Sequence, residues 1–271
     1  MDDTSLQKFR ERVWSAYRES YRDLPWRRTD DPYAILVSEV MLQQTQVHRV
    51  IAPYERFLSA YPTVSALAKA SPRDVVALWQ GLGYNRRALW LREAARRIVT
   101  DHGGIVPADV ETLLTLPGIG PYTAAAVCAI AFGQVVPVLD TNIRAVYLHE
   151  WFPQREKIRD SELIPLLVET FDRERPREWV YALMDYGATL KKQGPNPSRR
   201  SAHHVRQQAF EGSRRQRRGM VIRLLLACES ATAQEVAASC GMNDAEAEAL
   251  LIDLAAEGFL SIRDGAYCLS P

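Results

Sequence analysis

What this sequence lacks excludes several classes of protein. Its four cysteines, among 271 residues, form no closely spaced pair, so the sequence predicts reduced thiols in a cytoplasmic protein and no disulfide framework. No apolar run approaches the ~20 residues that span a bilayer, and the first residues lack the basic and apolar segments of a signal peptide. The net charge is only +1, and the hydrophobic content of 47% is ordinary for a globular protein with room for two compact domains.

A short run of glycine and proline separates two helical segments near the middle of the chain. Gly118 and Gly120 are separated by a single residue, which allows a sharp backbone turn. The flanking segments Asp109–Leu116 and Ala124–Phe132 are compatible with helices, and Pro121 suits the first turn of the second one. The turn is either an ordinary helix cap or a helix–hairpin–helix whose free N–H groups bind a phosphate.

An aspartate follows this turn at position 140. Asp140 ends the apolar run Val135–Leu139 and precedes Thr141 and Asn142, both of which are residues preferred at helix N-termini. Its carboxylate is therefore either a helix cap or a charge poised for chemistry. Together with the glycine turn, Asp140 resembles the helix–hairpin–helix DNA glycosylases, the superfamily that includes endonuclease III and the adenine glycosylases of the MutY family. This resemblance implies an all-α fold of two helical lobes, with a DNA base flipped between them.

A second candidate for chemistry is a glutamate inside an apolar helix. The predicted helix Tyr33–Thr45 surrounds Glu39 with aliphatic residues, and a buried carboxyl has a raised pKa that suits a general acid. Alternatively, Glu39 faces solvent on a polar stripe with its i+4 neighbour Gln43. Residues 24–27 and 38–46 resemble the MutY family nearly letter for letter, which implies that Glu39 is the catalytic acid. It also implies that the DNA-facing cleft is lined by Gln43, Gln44 and Thr45.

A two-glycine loop precedes an aromatic residue and two arginines. The loop Gly81–Tyr84 is followed by Arg86 and Arg87. An exposed aromatic ring beside arginines can wedge into a base stack while the cations hold phosphates, or it can simply pack on an arginine stem. The resemblance implies that Tyr84 probes the duplex beside the extruded base.

The charge of the chain is unevenly distributed. Residues 191–218 carry nine basic residues against one acidic residue. Such a segment is either a solubilising linker or an arm that binds the DNA backbone, and its serine, histidine and asparagine donors favour the arm. Contacts with DNA are predicted for Lys191, Arg199, Arg200, His203 and His204.

The C-terminal residues predict a small winged-helix-like unit. Three helical segments are followed by two alternating strands around Asp264-Gly265, a strong hairpin signal. The third helix has five acidic residues and no lysine or arginine, so packing or protein contact is favoured over DNA reading. We expect a lobe of residues 1–30 and 138–216 with the basic loop, a six-helix lobe of residues 31–137, and the C-terminal unit at 217–271.

One segment departs from the family. After the motif Met184–Ala188, endonuclease III and MutY carry four cysteines that hold an iron–sulfur cluster, but here no cysteine occurs from 189 to 227. We therefore expect no cluster and no metal ligands, and only a monovalent cation at the hairpin carbonyls is left open. Endonuclease III has its lyase lysine at the position of Tyr122, which predicts a glycosylase without lyase activity. The resemblance assigns Tyr122 to the catalytic residues and assigns four residues to DNA contact: Gly118, Gly120, Thr123 and Asn142.

These observations predict a monofunctional DNA N-glycosylase acting as a monomer on double-stranded DNA, in the nucleoid-associated cytoplasm. Glu39 would protonate the leaving base, and Asp140 would offset the positive charge of the sugar. Adenine mispaired with guanine or 8-oxoguanine is the first substrate; thymine or uracil opposite guanine, or a damaged base, is the alternative. A protein that only binds DNA is a third interpretation. The C-terminal unit differs from the larger MutY domain that recognises 8-oxoguanine, so dependence on that base stays open.

Overall fold

The computed structural model describes residues 2–205 and 209–271. In this part of the chain the protein has fourteen α-helices and one two-stranded antiparallel sheet. The helices are α1 (Asp3–Ser20), α2 (Pro32–Leu42), α3 (Val47–Ala60), α4 (Val64–Lys69), α5 (Pro72–Leu78), α6 (Arg86–His102), α7 (Val110–Leu114), α8 (Pro121–Phe132), α9 (Thr141–Trp151), α10 (Asp160–Thr170), α11 (Pro176–Gln193), α12 (Arg214–Ala227), α13 (Ala233–Cys240) and α14 (Asp244–Ala256), and the strands are β1 (Leu260–Arg263) and β2 (Ala266–Leu269). The predicted mostly helical fold class is confirmed.

Several helices differ from the sequence prediction at their ends, among them α2 and α12. Helix α2 ends at Leu42, three residues before the predicted end at Thr45, because Gln44 adopts a left-handed backbone conformation with φ 57°. Helix α12 begins at Arg214, before the predicted start of the C-terminal unit at residue 217, because the Ser213 side chain caps its first turn. The last arginines of the basic segment therefore belong to a helix of the C-terminal unit.

The described residues form two compact units. The first unit comprises the described residues of Met1–Glu39, Ala108–Thr115 and Ile119–Arg206. Its core includes an aromatic cluster from α1, α9 and α11, in which the Phe9 ring lies 4.3 Å from Trp151 and 6.0 Å from Trp179 between centroids. A buried ion pair joins the start of the chain to α11, since Arg27 donates to both oxygens of Asp185 at 2.7 and 2.8 Å. Bidentate pairing of this kind offsets the cost of burying both charges.

The second unit comprises the described residues of Val40–Pro107, Leu116–Gly118 and Gln207–Pro271. It contains the C-terminal elements α12 to β2, with Leu260 paired to Leu269 in the hairpin and a left-handed turn at Asp264-Gly265. The guanidinium of Arg73 in α5 donates to backbone carbonyls at the end of α12 at 3.0 and 3.3 Å. These bonds satisfy carbonyls that lack a partner within their own helix. The sequence-based domain boundaries stay a prediction.

None of the helices in the described residues is both long and apolar enough to cross a membrane.

Candidate active site

Glu39 lies on α2 and is only 2% exposed. The solvent-facing alternative is therefore wrong, because the carboxyl is enclosed rather than placed on a polar stripe. The Tyr122 hydroxyl donates a hydrogen bond to Glu39 Oε2 at 2.7 Å. Tyr122 reaches this position because Gly120 and Pro121 start α8 immediately before it. The hairpin thus brings together two side chains that are 83 positions apart in sequence.

Burial, and to a smaller extent the charge of Asp140, raise the pKa of Glu39 from 4.5 to about 7. The Tyr122 hydrogen bond and the positive charge of Arg27 act against this shift. A carboxyl with such a pKa is protonated in a large fraction of molecules at neutral pH, which is the condition for a general acid. Arg27 belongs to the Leu24–Arg27 motif, but nothing in the sequence around it indicates this electrostatic role.

Tyr122 stays a neutral hydrogen-bond donor at neutral pH. Burial raises the pKa of its hydroxyl well above the ordinary value, and the negative charges of Glu39 and Asp140 act in the same direction. Its phenol carries no amine, so it cannot form a Schiff base with a sugar. The site thus contains a proton on Glu39 and a hydrogen-bond donor, the Tyr122 hydroxyl, that holds the Glu39 carboxyl.

Asp140 caps the N-terminus of α9. Its Oδ1 atom accepts hydrogen bonds from the backbone N–H groups of Asn142 and Ile143 at 2.8 and 2.6 Å, and Oδ2 accepts from Asn142 Nδ2 at 2.8 Å. The residue is half-buried, and its charge reaches Glu39. The two alternatives for Asp140, helix cap and poised charge, are thus compatible. Its capping hydrogen bonds hold a carboxylate close enough to interact with Glu39.

The glycine turn between α7 and α8 has the predicted shape. Gly118 has φ 76°, a left-handed conformation that favours glycine. A Cβ atom at this position would lie 2.8 Å from Trp90 Cβ, so a side chain would also be excluded by space. Gly120 is the N-cap of α8, whose first-turn N–H groups can bind an anion.

Comparison with known proteins decides the family. Residues 37–167 match the family described as "HhH-GPD superfamily base excision DNA repair protein". An adenine DNA glycosylase of Mycobacterium tuberculosis (strain ATCC 25618 / H37Rv) is 40% identical over 238 residues, which cover 79% of this chain and 77% of the relative. The chain belongs to the HhH-GPD superfamily of DNA glycosylases.

Two further relatives of the glycosylase come from a different activity group. A thymine/uracil-DNA glycosylase of Pyrobaculum aerophilum is 39% identical over 186 residues, which cover 66% of this chain and 81% of the relative. The solved structure of a thermostable thymine-DNA glycosylase superposes with a TM-score of 0.62 at 29% identity, over 69% of this chain and 87% of that one.

Arg87 of the glycosylase is not available to a phosphate, contrary to the sequence prediction. It is 4% exposed, and its Nη1 atom donates to the carbonyls of Val40, Met41 and Gln43 at 2.7, 3.0 and 2.6 Å. These carbonyls lie at the end of α2, where backbone acceptors have no partner within the helix. Nη2 also donates to Thr45 Oγ1 at 3.0 Å, so Arg87 fixes the segment that follows Glu39.

Tyr84 is half-buried rather than exposed, and its neighbour from the C-terminal unit was not anticipated. It adopts a left-handed backbone conformation with φ 47°. Its hydroxyl accepts a hydrogen bond from Arg215, whose guanidinium lies 5.1 Å from the centre of the Tyr84 ring. Arg86 is exposed and stacks on Trp90 at 5.2 Å. Gln44 is exposed and Gln43 is half-buried, so DNA contact by the glutamines and Tyr84 stays a prediction.

The basic segment divides into bound and exposed residues. Arg200 donates to the carbonyls of Leu148 and Pro153 at 2.7 and 3.0 Å, so it stabilises the end of α9 instead of extending toward DNA. The side chains of Arg199, His203 and His204 are exposed, and they remain candidates for DNA contact. Arg206 lies outside the described residues. The Thr123 side chain is 2% exposed, which leaves only its backbone N–H for a phosphate.

The arginines of α12 pair with the acidic helix α14. Arg214 contacts Asp253, Arg217 contacts Glu246, and Arg218 donates to Glu257 at 3.0 Å. These ion pairs involve three of the nine basic residues that suggested a DNA-binding arm. They agree with the expectation that the acidic helix packs within the protein.

The cysteines of the glycosylase do not fit an iron–sulfur cluster, which needs converging thiolates. Cys128 Sγ contacts the carbonyl of Ala108 at 3.4 Å, Cys228 Sγ contacts a carbonyl of its own helix at 3.2 Å, and Cys268 contacts Ser261 across the hairpin at 3.1 Å. Within the described residues, no three His, Cys, Asp or Glu side chains converge as metal ligands. The absence of a cofactor and the monovalent cation at the hairpin both stay predictions.

Proposed function

We propose that this glycosylase removes adenine mispaired with guanine or 8-oxoguanine, which is the first step of base excision repair. The observation that carries the proposal is the buried Glu39 carboxyl, whose pKa is raised to about 7 and which accepts a hydrogen bond from Tyr122. Adenine has a basic N7 that can accept a proton from such a group. The 40% identity to an adenine DNA glycosylase supports the same substrate.

The mechanism follows from the positions of three side chains. Glu39 transfers its proton to adenine N7, and the bond between C1′ and N9 then breaks with its electron pair moving to the base. The sugar becomes an oxocarbenium-like cation, as in glycoside hydrolysis, and the negative charge of Asp140 stabilises it in a water-poor site. Tyr122 keeps its hydrogen bond to Glu39 and stabilises the carboxylate formed by proton transfer. Water adds to C1′ and loses a proton, which leaves an abasic site.

Target selection is proposed to begin with base flipping. Extruding a base costs a few kcal/mol and costs least at a mismatch, so mispairing itself favours the correct target. We assign Gln43, Gln44 and Tyr84 to the duplex beside the extruded base, and Gly120 to a phosphate at the start of α8. Action as a monomer, within the nucleoid-associated cytoplasm, belongs to the same proposal.

A second candidate is removal of thymine or uracil opposite guanine. It is favoured by the 39% identity to a thymine/uracil-DNA glycosylase and by the structural match at 29% identity to a thymine-DNA glycosylase. Both activities can share a carboxylate such as Asp140 that offsets charge on the sugar. Thymine and uracil lack the N7 that Glu39 would protonate, so the two candidates differ in their need for Glu39.

A panel of duplexes tests the proposal. Each duplex carries one mispair, A·G, A·8-oxoguanine, G·T or G·U, and alkali-labile cleavage of the labelled strand scores excision. We expect cleavage at adenine in the first two duplexes with the wild-type protein and none with Glu39→Gln. Cleavage confined to thymine or uracil would establish the second candidate. Binding to mismatched duplexes without any cleavage would leave a protein that only binds DNA.

A further inference from the structure

A lysine on α11 faces the first residues of α9. Lys191 Nζ lies 2.9 Å from Asn142 Oδ1 and 3.1 Å from Thr141 Oγ1. The other end of the same amide, Asn142 Nδ2, donates to Asp140 Oδ2 at 2.8 Å. Three polar side chains therefore form a chain of hydrogen bonds that ends at the carboxylate proposed to stabilise the sugar cation.

Gly187 explains how the lysine reaches this position. A Cβ atom on Gly187 would lie 2.1 Å from the backbone oxygen of Asn142, so only glycine lets α11 approach the start of α9 this closely. Lys191 follows Gly187 by four residues and lies on the same face of the helix. The close packing of the two helices thus delivers the ammonium group to the Asn142 side chain.

The chemistry of the ammonium group determines how the amide is oriented. Lysine only donates hydrogen bonds, so its partner on Asn142 must be the oxygen Oδ1. With Oδ1 held by Lys191, the donor end Nδ2 must face Asp140. A rotated amide would instead place an oxygen against the Asp140 carboxylate, and the two would repel each other. Burial lowers the pKa of Lys191, while the negative charge of Asp140 acts to raise it. The two charges therefore interact with each other.

We propose that Lys191 is a positioning residue that holds the Asp140 carboxylate in its working orientation through Asn142. This assignment rests on the proposed function of Asp140 and replaces the phosphate contact that the basic segment predicted for Lys191. Asp140 Oδ1 is held by two backbone N–H groups. The second oxygen, Oδ2, accepts its hydrogen bond from Asn142 Nδ2, and Lys191 holds the other end of that amide.

Kinetics of three variants test the assignment. Lys191→Met removes the ammonium group and keeps an apolar stem, Lys191→Gln keeps a donor, and Lys8→Met removes an exposed lysine from α1 as the matched control. We expect Lys191→Met to lower the single-turnover rate of base excision by about 10-fold to 100-fold, the cost of a misplaced reacting group. Preference for a duplex that contains a cationic pyrrolidine in place of the sugar should fall by a similar factor. Lys191→Gln should restore part of both losses, and Lys8→Met should change neither.

Affinity for undamaged duplex separates positioning from phosphate binding. A positioning residue leaves that affinity and its salt dependence unchanged. Weaker binding to every duplex, a shallower salt slope and a wild-type single-turnover rate at saturation would show that Lys191 binds phosphate, and would overturn the proposal. In an Asn142→Ala background, Lys191→Met should have little further effect, because the connection is already broken. Fully additive losses would overturn it as well.

A spectroscopic measurement keeps this inference separate from the proposed function. If the wild-type protein excises no base, the proposed function fails, but the NMR signals of the Asn142 side-chain amide still report on Lys191. We expect Lys191→Met to shift these signals and Lys8→Met to leave them in place, with the wild-type fold retained by circular dichroism. Signals that stay unchanged in Lys191→Met would overturn the inference, whatever the enzyme's activity.

Discussion

Replacing Glu39 with glutamine should change the pH dependence of stability in a predictable way. The pKa of Glu39 is about 7 in the folded protein against an ordinary value of 4.5. Between these two values the folded state binds a proton that the unfolded state has released. Stability therefore falls as the pH rises through this window, by ~1.4 kcal/mol per pH unit. Above pH 7 the full penalty of the buried carboxylate is present, on the order of 3 kcal/mol.

Glutamine has nearly the same size and cannot ionise, and its carbonyl can still accept the Tyr122 hydrogen bond. Glu39→Gln should therefore match the wild-type free energy of unfolding near pH 4.5 and exceed it by ~3 kcal/mol at pH 8. Urea denaturation at four pH values between 4.5 and 8 measures the difference directly. Titrating groups that do not interact with Glu39 contribute equally to both proteins, so they cancel.

Glu111→Gln serves as the control, because this carboxyl is exposed on α7. Its unfolding free energy should follow the wild-type pH dependence throughout. Parallel curves for wild type and Glu39→Gln would refute the reasoning, since they would mean that Glu39 ionises at the same pH in the folded and unfolded states. A Glu39→Gln protein that is less stable at pH 8 would refute it as well.

Three further predictions follow from named contacts. Asp140→Asn keeps a side chain that can cap α9, so the variant should bind intact duplex like wild type. Its excision rate and its preference for the pyrrolidine duplex should fall together, as expected of an interaction made in the transition state. If circular dichroism showed that the variant is unfolded, Asp140 would be only a helix cap. Arg199→Ala should reduce the salt dependence of duplex binding by about one phosphate contact. Arg200→Ala should leave the salt dependence unchanged and lower the melting temperature. Equal salt dependence in the two variants would contradict the assignment of Arg199 to DNA and Arg200 to the fold. Arg215→Ala removes the cation–π contact with the Tyr84 ring, worth about 0.5–1 kcal/mol. Limited proteolysis should therefore cut the Tyr84 loop faster. An unchanged cleavage rate would contradict a stabilising role of this contact.

The sequence predicts the helices well because apolar spacing and capping residues are local signals. The turn at Gly118 and the hairpin at Asp264-Gly265 also follow from local chemistry. The burial of Glu39 does not follow from local chemistry, since its i+4 neighbour Gln43 permits a solvent-facing stripe. Only packing of α2 within the fold decides between the two alternatives, and periodicity carries no information about the partner 83 residues away.

Two of the site predictions that the structure corrects concern arginines. A sequence shows the charge of Arg87 and Arg200, but it does not show which backbone carbonyls accept their hydrogen bonds. Both side chains satisfy backbone oxygens at helix ends, a need that every α-helix has. One signal was present in the C-terminal unit, where a basic α12 precedes an acidic α14; opposite charges on two helices of one small unit favour pairing with each other over binding to DNA.

The central claim is that Glu39 delivers the proton for base excision, and its most direct test is the pH dependence of single-turnover adenine excision. The wild-type rate constant should be level below pH 7 and fall about tenfold per pH unit above it, because the acid form with a pKa of about 7 is lost. Glu39→Gln should be slower by at least ~10² at pH 6 and should not show this fall. A wild-type rate that rises through pH 7, or a Glu39→Gln protein that excises adenine at the wild-type rate, would contradict the claim.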